Sequence, residues 1–447
     1  MKITFNGAAR IVTGSCYLIE TNKTKILVDC GLFQGQEEMI KLNFRKFPFN
    51  PKEISHILLT HSHMDHCGLI PKLVKEGFNG KIWCTKATKD LCNIMLLDGA
   101  NVQEETAVSK EAALYNESDA KKSMKRFLPI DYGQVYEITS GIKARFRDAG
   151  HILGAAIIEI FISEAGKTKK LVFSGDIGQR DMPLIRTTEA IDEADYLFIE
   201  STYGDRLHPN KDQRSKQLAE AVLSAYKKKG KLFIPCFAVQ RTQELIYRLR
   251  ELLAKGIIPE QDVFLDSPLA IKSTEIFKKY IDYFNEETKH VKNPFYFKGL
   301  KFIGGVAESK KLNPMPGPMI IIAGSGMCTA GRIIHHLRNG IYNPKNTVLF
   351  VGYQADGTLG KKIKEGAKNI ELFGETISVK SEILSIESFS GHADYKELLF
   401  WVSLFKKMPK KIFVVHGEEQ SSLALKEKLD GLGLNAEVPK MGDTIII

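Results

Sequence analysis

The sequence predicts an α/β protein: an αββα sandwich of two facing sheets, interrupted by an inserted α/β domain built on a parallel sheet. Three observations predict it. The first two hundred residues carry short apolar runs at strand length, separated by turns, with helical stretches between them. From about residue 206 the rhythm changes to strict alternation of strand and helix, the mark of a parallel sheet with right-handed crossovers. From about residue 382 the earlier, antiparallel character returns. The expected domains are therefore 1–205 and 381–447 for the two parts of the sandwich, and 206–380 for the insertion.

In chain order, residues 3–5, 16–19 and 25–28 read as strands joined by short turns, followed by strands at 57–59 and 81–84. Residues 89–104 read as a helix, with a charged helical stretch continuing to 127. Further strands fall at 142–146, 155–162, 170–173 and 196–199. The insertion alternates helix 213–228, strand 231–234, helix 242–254, strand 263–265, helix 271–280, strand 319–322, helix 331–338 and strand 347–351. Strand 383–386, helix 396–405 and strand 412–415 complete the first domain, and the exposed terminal strand 444–447 is a candidate for pairing across a homodimer.

With 447 residues the chain is too long for one ordinary core. Its 43% apolar and 26% charged content is that of a globular enzyme. It has no run of eighteen apolar residues, so no membrane span is expected. Met1-Lys2-Ile3-Thr4-Phe5 opens into a strand rather than a signal peptide, which points to the cytoplasm. The seven cysteines are scattered, with no C-x-x-C pair, and read as reduced thiols rather than a disulfide framework. Cys67 is either a ligand or a small packing residue. A net charge of +10 leans towards a polyanionic partner, although a lysine-rich surface also serves solubility.

The most informative segment is Thr60-His61-Ser62-His63-Met64-Asp65-His66, directly after the apolar run Ile57-Leu58-Leu59. On a strand end, His61 and His63 point one way, while Asp65 and His66 reach a second point beside it. Imidazole and carboxylate donors in that arrangement suit Zn²⁺, and donors for two neighbouring ions imply metal-assisted hydrolysis. Six of the eleven histidines lie at strand ends: His61, His63, His66, His151, His392 and His416. His151 follows the small-residue turn Asp148-Ala149-Gly150, and Asp176 leaves a strand through Ser174-Gly175, where its two oxygens can face two ions. His56, His208, His290, His335 and His336 fit no pattern.

Asp29 at the end of Ile26-Leu27-Val28, the H-x-H-x-D-H loop, His151 and Asp176, in that order, resemble the metallo-β-lactamase superfamily. Three further motifs make the chain most similar to its β-CASP nucleases: Phe198-Ile199-Glu200-Ser201-Thr202-Tyr203-Gly204, Ser390-Gly391-His392-Ala393-Asp394 and Val414-Val415-His416-Gly417-Glu418. That family includes the nuclease subunit of the mRNA 3′-end cleavage factor and its bacterial and archaeal relatives. The resemblance spans nearly the whole chain and implies a metallo-β-lactamase sandwich with an inserted β-CASP domain.

Carried over residue by residue, the resemblance implies two zinc ions per chain. His61, His63, His151 and Asp176 would hold the first; Asp65, His66, Asp176 and His416 would hold the second. Asp29 would orient ligands or bound water, or else simply end a strand as a turn residue. His392 is the candidate general acid and Glu200 the carboxylate that orients it, so His392, Glu200, Asp29 and Asp65 form the expected catalytic group. Ser390 either presents a hydroxyl to the scissile phosphate or serves only its turn.

In the insertion, Ile322-Ala323-Gly324-Ser325-Gly326-Met327 followed by Gly331-Arg332 is a strand, a glycine-rich turn and a helix start, suited to backbone contact with phosphate but lacking the Gly-Lys-Ser/Thr of a P-loop. Arg241, Ser325, Gly326, Arg332 and Ser390 are the candidate substrate contacts. Arg241 and the Asp266-Ser267-Pro268-Leu269 loop also lie at strand ends, the edge at which parallel sheets bind ligands. Phe237 either stacks a base or is buried. The clusters Lys227 to Lys229, Lys361-Lys362, Lys406-Lys407 and Lys410-Lys411 are either solvated faces or polyanion contacts.

The expected function is a zinc-dependent ribonuclease hydrolysing single-stranded RNA, cutting internally in RNA processing or decay, with room for 5′-exonuclease action. Internal cutting follows from an expected cleft between domains and from the absence of an appended C-terminal domain. The competing readings are a catalytically silent RNA-binding scaffold, a DNA-directed nuclease and a small-ester hydrolase of the same fold. A full ligand set disfavours the scaffold, and His416 disfavours the DNA-directed branch.

Overall fold

The computed structural model describes residues 1–447 except 107–112, 210, 353 and 356, and leaves the side chains of residues 105, 106 and 212 undescribed. The chain divides into two compact units, one of residues 1–207 with 391–447 and one of residues 208–390.

The first unit holds two seven-stranded sheets. One runs in the order Thr444–Ile446, Lys2–Phe5, Tyr17–Glu20, Lys25–Val28, Ile54–Leu58, Lys81–Thr85, Phe127–Ile130. The other runs Ala436–Glu437, Lys411–Val414, Tyr196–Ile199, Lys167–Phe173, Ala156–Glu164, Ile142–Asp148, Val135–Thr139. Their inner faces meet in one core, where Phe5, Tyr17, Ile19, Val28 and Leu58 oppose Phe146, Ile158, Ile160, Phe173 and Phe198. Period-two burial drives this: in Ile142–Asp148, residues Ile142, Ala144, Phe146 and Asp148 are buried and the residues between them are not. Phe198 stacks on Phe173 with centroids 4.1 Å apart and on Phe413 at 5.1 Å, tying three adjacent strands together. On the outer face of the first sheet, Leu27, Ile57 and Ile82 pack against Ile70, Leu73, Cys92 and Leu96 from the helical layer.

Several expectations are corrected. Both sheets are mixed rather than antiparallel: Lys25–Val28, Ile54–Leu58, Lys81–Thr85 and Phe127–Ile130 pair in parallel. The helix expected from residue 89 starts at Lys86, and the helical stretch expected to reach 127 is interrupted; residues 107–112 lie outside the described residues, and a separate helix, Glu117–Met124, follows, capped by Asn116. Phe127–Ile130 and Val135–Thr139 are edge strands that the pattern did not reveal, since Pro129 and the half-polar Val135-Tyr136-Glu137 blur the alternation. Thr444–Ile446 pairs antiparallel with Lys2–Phe5 of the same chain, with Lys2 opposite Ile446, so that strand has an intramolecular partner.

The second unit is a six-stranded, wholly parallel sheet in the order Leu300–Phe302, Asp262–Asp266, Met319–Ala323, Lys231–Pro235, Thr347–Val351, Glu382–Ile386. Its central strands are apolar on both faces, as a sheet covered by helices requires. Glu382–Ile386, expected to open the second part of the sandwich, is instead the edge strand of this sheet, parallel to Thr347–Val351. Its composition marks it as a strand; which sheet it joins is a long-range choice that periodicity does not encode. No helix among the described residues is long and apolar enough to cross a membrane.

Truncating the aromatic stack tests the sandwich core. Phe198→Ala is expected to destabilise the first unit by about 3–5 kcal/mol, the usual loss for a buried phenylalanine, seen as a lowered urea midpoint in circular dichroism.

Candidate metal centre

Strand ends from both sheets of the first unit deliver the ionisable side chains. Ile54–Leu58 leads into His61 and His63, and the short helix Met64–Cys67 carries Asp65 and His66. Ile142–Asp148 leads into His151, Lys167–Phe173 into Asp176, Tyr196–Ile199 into Glu200, and Lys411–Val414 into His416. Two glycines make the close approaches possible. A Cβ on Gly31 would lie 1.6 Å from the Asp65 carbonyl oxygen, and one on Gly178 would lie 1.6 Å from that of Gly150.

Among the described residues, three donor groups form: His61, His63, His151 and Asp176; Asp65, His66 and His416; and Asp176, Glu200 and His392. In the first, His63 Nδ1 lies 3.1 Å from His61 Nε2 and 3.2 Å from His151 Nε2. Asp176 Oδ2 lies 3.4 Å from His61 Nε2 and 3.6 Å from His151 Nε2. A tetrahedron with Zn–N bonds of about 2.05 Å has edges of about 3.3 Å, so these spacings fit a tetrahedral cation site. In the second, His66 Nε2 is 3.0 Å from His416 Nε2 and 3.3 Å from Asp176 Oδ1, while Asp65 Oδ2 is 3.5 Å from His416 Nε2. Asp176 Oδ1 is buried without a hydrogen-bond donor, the state expected of an oxygen aimed at a cation. The donor set therefore fits two neighbouring divalent ions, with Asp176 facing both.

Neighbouring groups fix the imidazoles. Asp29, at a left-handed φ of 60°, accepts Thr60 N–H at 2.8 Å, the Thr60 hydroxyl at 2.9 Å and the Ser15 hydroxyl at 3.1 Å. It also meets His66 Nδ1 at 2.7 Å, which leaves Nε2 for the second cluster. Both readings of Asp29 hold geometrically: it ends its strand and it orients His66. His151 Nδ1 donates to the Gly391 carbonyl at 3.2 Å, turning Nε2 towards the first cluster. His416 has φ 46°; its N–H donates to Ala8 O at 2.7 Å and its carbonyl accepts Ser201 N–H at 3.0 Å.

The charge state matches. Burial, helped by neighbouring imidazoles, pushes His61 down, His63 down to about 3 and His151 well below its ordinary range, so all three are neutral donors. His66 is also buried, yet the Asp176 and Asp29 carboxylates raise it well above the usual histidine range. A proton on His66 thus supplies positive charge where the carboxylates demand it, the role a bound cation would take. Burial opposes ionisation of Asp176 and Asp65, but the surrounding histidines hold both below the usual carboxylate range.

Beside the clusters, His392 Nδ1 lies 3.2 Å from each oxygen of Glu200. Glu200 is in turn fixed by Ile177 N–H at 2.6 Å and Thr202 N–H at 3.3 Å. Burial disfavours the imidazolium, but the Glu200 carboxylate outweighs it and lifts His392 to about 9. The Gly391-His392 segment pairs with the backbone after Asp176, through Ala393 N–H to Ile177 O at 2.7 Å and the Gly178–His392 bridge.

The expected substrate contacts Arg241, Ser325, Gly326, Arg332 and Ser390 all belong to the second unit, and the arginines are committed within it. Arg241, expected as a phosphate clamp, is buried and ion-paired with Glu244, which also holds Arg248 at 2.9 Å. Arg332 is spent on Asp266 at 2.5 Å and on the carbonyls of Ile303 at 2.9 Å and Gly304 at 2.6 Å. Asp266 also takes His336 Nε2 at 2.6 Å and the Ser309 hydroxyl at 2.5 Å, which gives the unassigned His336 a structural place. The Ser325 hydroxyl accepts Thr329 and Ala330 N–H at 3.0 and 3.2 Å, closing its own turn, and Ser390 is buried. Phe237 is 41% exposed rather than buried, its ring against Gly326. Cys67 donates to Ser62 O at 3.3 Å and joins no donor group, so it is a packing residue.

The lysine clusters are largely neutralised: Lys228 pairs with Glu382, Lys361 with Glu365, Lys406 with Asp192, Lys410 with Asp195 and Lys411 with Glu437. Thr60, Ser15 and the Gly391 carbonyl, which orient the ligands, went unseen in the sequence. A hydroxyl or carbonyl partner has no spacing signature.

Family models match three stretches: a metallo-β-lactamase superfamily model over residues 9–234, a β-CASP domain model over 242–363, and a Zn-dependent metallo-hydrolase RNA specificity domain over 376–439. The chain is 36% identical to a protein named Ribonuclease TTHA0252 from Thermus thermophilus, over 100% of both chains. It is 34% identical to Transcription termination factor FttA of Methanocaldococcus jannaschii, over 95% of this chain and 68% of that one. An RNase J-like protein of the same organism is 33% identical over 94% of each. A crystal structure of an Enterococcus faecalis protein of unknown function aligns over 100% of this chain and 99% of that one, with TM-score 0.58 at 12% identity, a likeness of fold alone.

Elemental analysis of site variants tests the donor sets. His416→Ala is expected to lose about one of two metal equivalents, whereas Asp176→Ala should deplete both sites. Equal metal content in Asp176→Ala and the parent protein would contradict the shared-carboxylate geometry.

Proposed function

The chain belongs to the β-CASP family of the metallo-β-lactamase superfamily, which makes it a metal-dependent hydrolase, and on that premise we propose that it is a two-zinc ribonuclease cutting single-stranded RNA internally. The observation that carries the reading is Asp176, whose two oxygens face two complete donor clusters while His392 stands beside them. Relatives named as a ribonuclease and an RNase J-like protein, and the RNA specificity domain match, support RNA as the substrate. The seven free, buried cysteines suit the reducing cytoplasm.

His61, His63, His151 and Asp176 would hold one zinc, and Asp65, His66, His416 and Asp176 the other. When bound, such ions polarise the phosphate and lower the pKa of water enough to provide a nucleophile near pH 7. The chain's own groups supply the rest. Asp29 keeps the His66 tautomer that presents Nε2. Glu200 accepts the His392 Nδ1 proton, so the second proton of the imidazolium sits on Nε2. As the P–O bond to the leaving oxygen breaks, that Nε2 proton passes to the alkoxide, and the neutral imidazole stays anchored on Glu200. A scaffold without activity has no use for so complete a set of buried ionisable groups, each costly to desolvate.

Two experiments test this reading. Circular single-stranded RNA should be linearised by the protein and spared after chelation; release of mononucleotides from linear RNA with the circle left intact would refute internal cutting. His392→Ala should retain metal but slow cleavage by about 10²–10⁴. As the acid, His392 acts only while protonated. The rate should therefore hold below its pKa of about 9 and fall as pH rises through it. In Glu200→Gln burial is opposed only by the more distant Asp176 and Asp65 carboxylates, so this alkaline limb should move to lower pH in a kcat/KM profile.

A further inference from the structure

We infer that the loop between the strands Lys25–Val28 and Ile54–Leu58 carries a second contact for single-stranded RNA, in which Phe44 stacks a base and Arg45 and Lys46 meet flanking phosphates. This rests on the ribonuclease reading and extends it to a surface outside the metal centre.

The run Asn43-Phe44-Arg45-Lys46-Phe47-Pro48-Phe49 interleaves aromatic and basic residues. Phe44 is 60% exposed, and Arg45 and Lys46 are exposed beside it. Unlike Lys228, Lys361, Lys406 and Lys410, neither cation has an ion-pair partner among the described residues. Of the acids nearest in sequence, Glu37 and Glu38 lie in the preceding helix, where Glu37 pairs with Lys41 at 2.8 Å, and Glu53 pairs with Lys25 at 2.7 Å. An exposed ring beside two cations without ion-pair partners is the pairing that single-stranded nucleic acid uses, a π-face for a base and charge for its phosphates.

The loop is also pinned. Asn43 clamps both backbone groups of Phe33 at 2.8 Å. The buried Lys72 ammonium donates to the carbonyls of Asn43 at 2.7 Å and Arg45 at 2.5 Å, and lies 4.8 Å from the centre of the Phe47 ring. Phe47 stacks on Phe49 at 5.3 Å. The backbone is therefore held from below while the Phe44, Arg45 and Lys46 side chains face solvent, so an incoming strand pays little entropy to order the platform. The same contacts tie it to the metal centre: Leu32 N–H donates to Met64 O at 2.8 Å, between His63 and Asp65. The path from Asp65 through Met64, Leu32, Phe33 and Asn43 to Phe44 spans on the order of 20 Å at 3.8 Å per residue and about 5 Å per hydrogen-bonded step. That contour is the greatest separation the two can have, and stacked nucleotides rise about 3.4 Å each, so a strand of about six is long enough to join them.

The experiment compares cleavage of a single-stranded 20-mer with cleavage of a trinucleotide by the metal-loaded protein. In Phe44→Ala, KM for the 20-mer should rise about tenfold, a typical loss for one stacked base, with the 20-mer to trinucleotide ratio of kcat/KM falling by the same factor. Phe44→Trp should restore it and Phe44→Leu should not. Arg45→Ala with Lys46→Ala should flatten the salt dependence of 20-mer binding. An unchanged ratio in Phe44→Ala, an equal loss on both substrates, or a change of oligomeric state in sedimentation would overturn the assignment, the last by making the patch a protein interface. If the parent protein cleaves neither RNA, the ribonuclease reading itself fails.

Discussion

Everything in the candidate centre turns on one buried carboxylate. Asp176 leaves the strand Lys167–Phe173 and faces His61 and His151 with one oxygen and His66 with the other. An ionised carboxylate at that depth is sustainable only with positive charge beside it. The histidines around it hold it below the usual carboxylate range, and it raises His66 in turn together with Asp29. The first unit is in effect assembled so that this charge has partners on every side.

The sandwich supplies those partners by geometry rather than by sequence proximity. Strands of the first sheet end at Asp29 and the His61-to-His66 loop, and strands of the second end at His151, Asp176, Glu200 and His416. The facing cores of Phe5, Phe173, Phe198 and Phe413 fix the separation of the sheets and hence of their terminal side chains. Backbone close approaches at Gly31 and Gly178 then bring two of the loops to within contact of their neighbours. Hydroxyls and carbonyls of Thr60, Ser15 and Gly391 set the rotation of individual rings, which decides whether a histidine nitrogen faces a cation or a hydrogen bond.

The second unit uses its charge differently. Arg241 and Arg332 sit at strand ends of a parallel sheet, where an unbound arginine would suggest anion binding, yet Glu244 and Asp266 consume both. The Arg332–Asp266 pair knits the loops at that end of the sheet to one another, from Ile303 and Gly304 to the helix Arg332–Gly340, while Arg241 and Glu244 pair within one helix. Several surface lysines are likewise held in local pairs with carboxylates, such as Lys361 with Glu365, Lys406 with Asp192 and Lys410 with Asp195, whereas Arg45 and Lys46 flank an exposed aromatic ring.

The sequence by itself determined the α/β class, the alternation of strand and helix in the second unit, and the donor-rich loop from His61 to His66. Those features are local: period-two and period-3.6 burial and ligand spacing are written in neighbouring residues. His151, Asp176, His416, Glu200 and His392 were expected beside that loop through a family resemblance rather than through spacing, and the structure brings these side chains together. Only the tertiary structure decided that Glu382–Ile386 joins the parallel sheet, that Thr444–Ile446 pairs with Lys2–Phe5, and that Arg241 and Arg332 are spent on buried carboxylates. Strand partnership and the Arg332–Asp266 pair join residues tens to hundreds of positions apart, and even the local Arg241–Glu244 pair is committed only because packing buries it. Their energies depend on which surfaces packing brings together, and no short-range pattern of residue types records that.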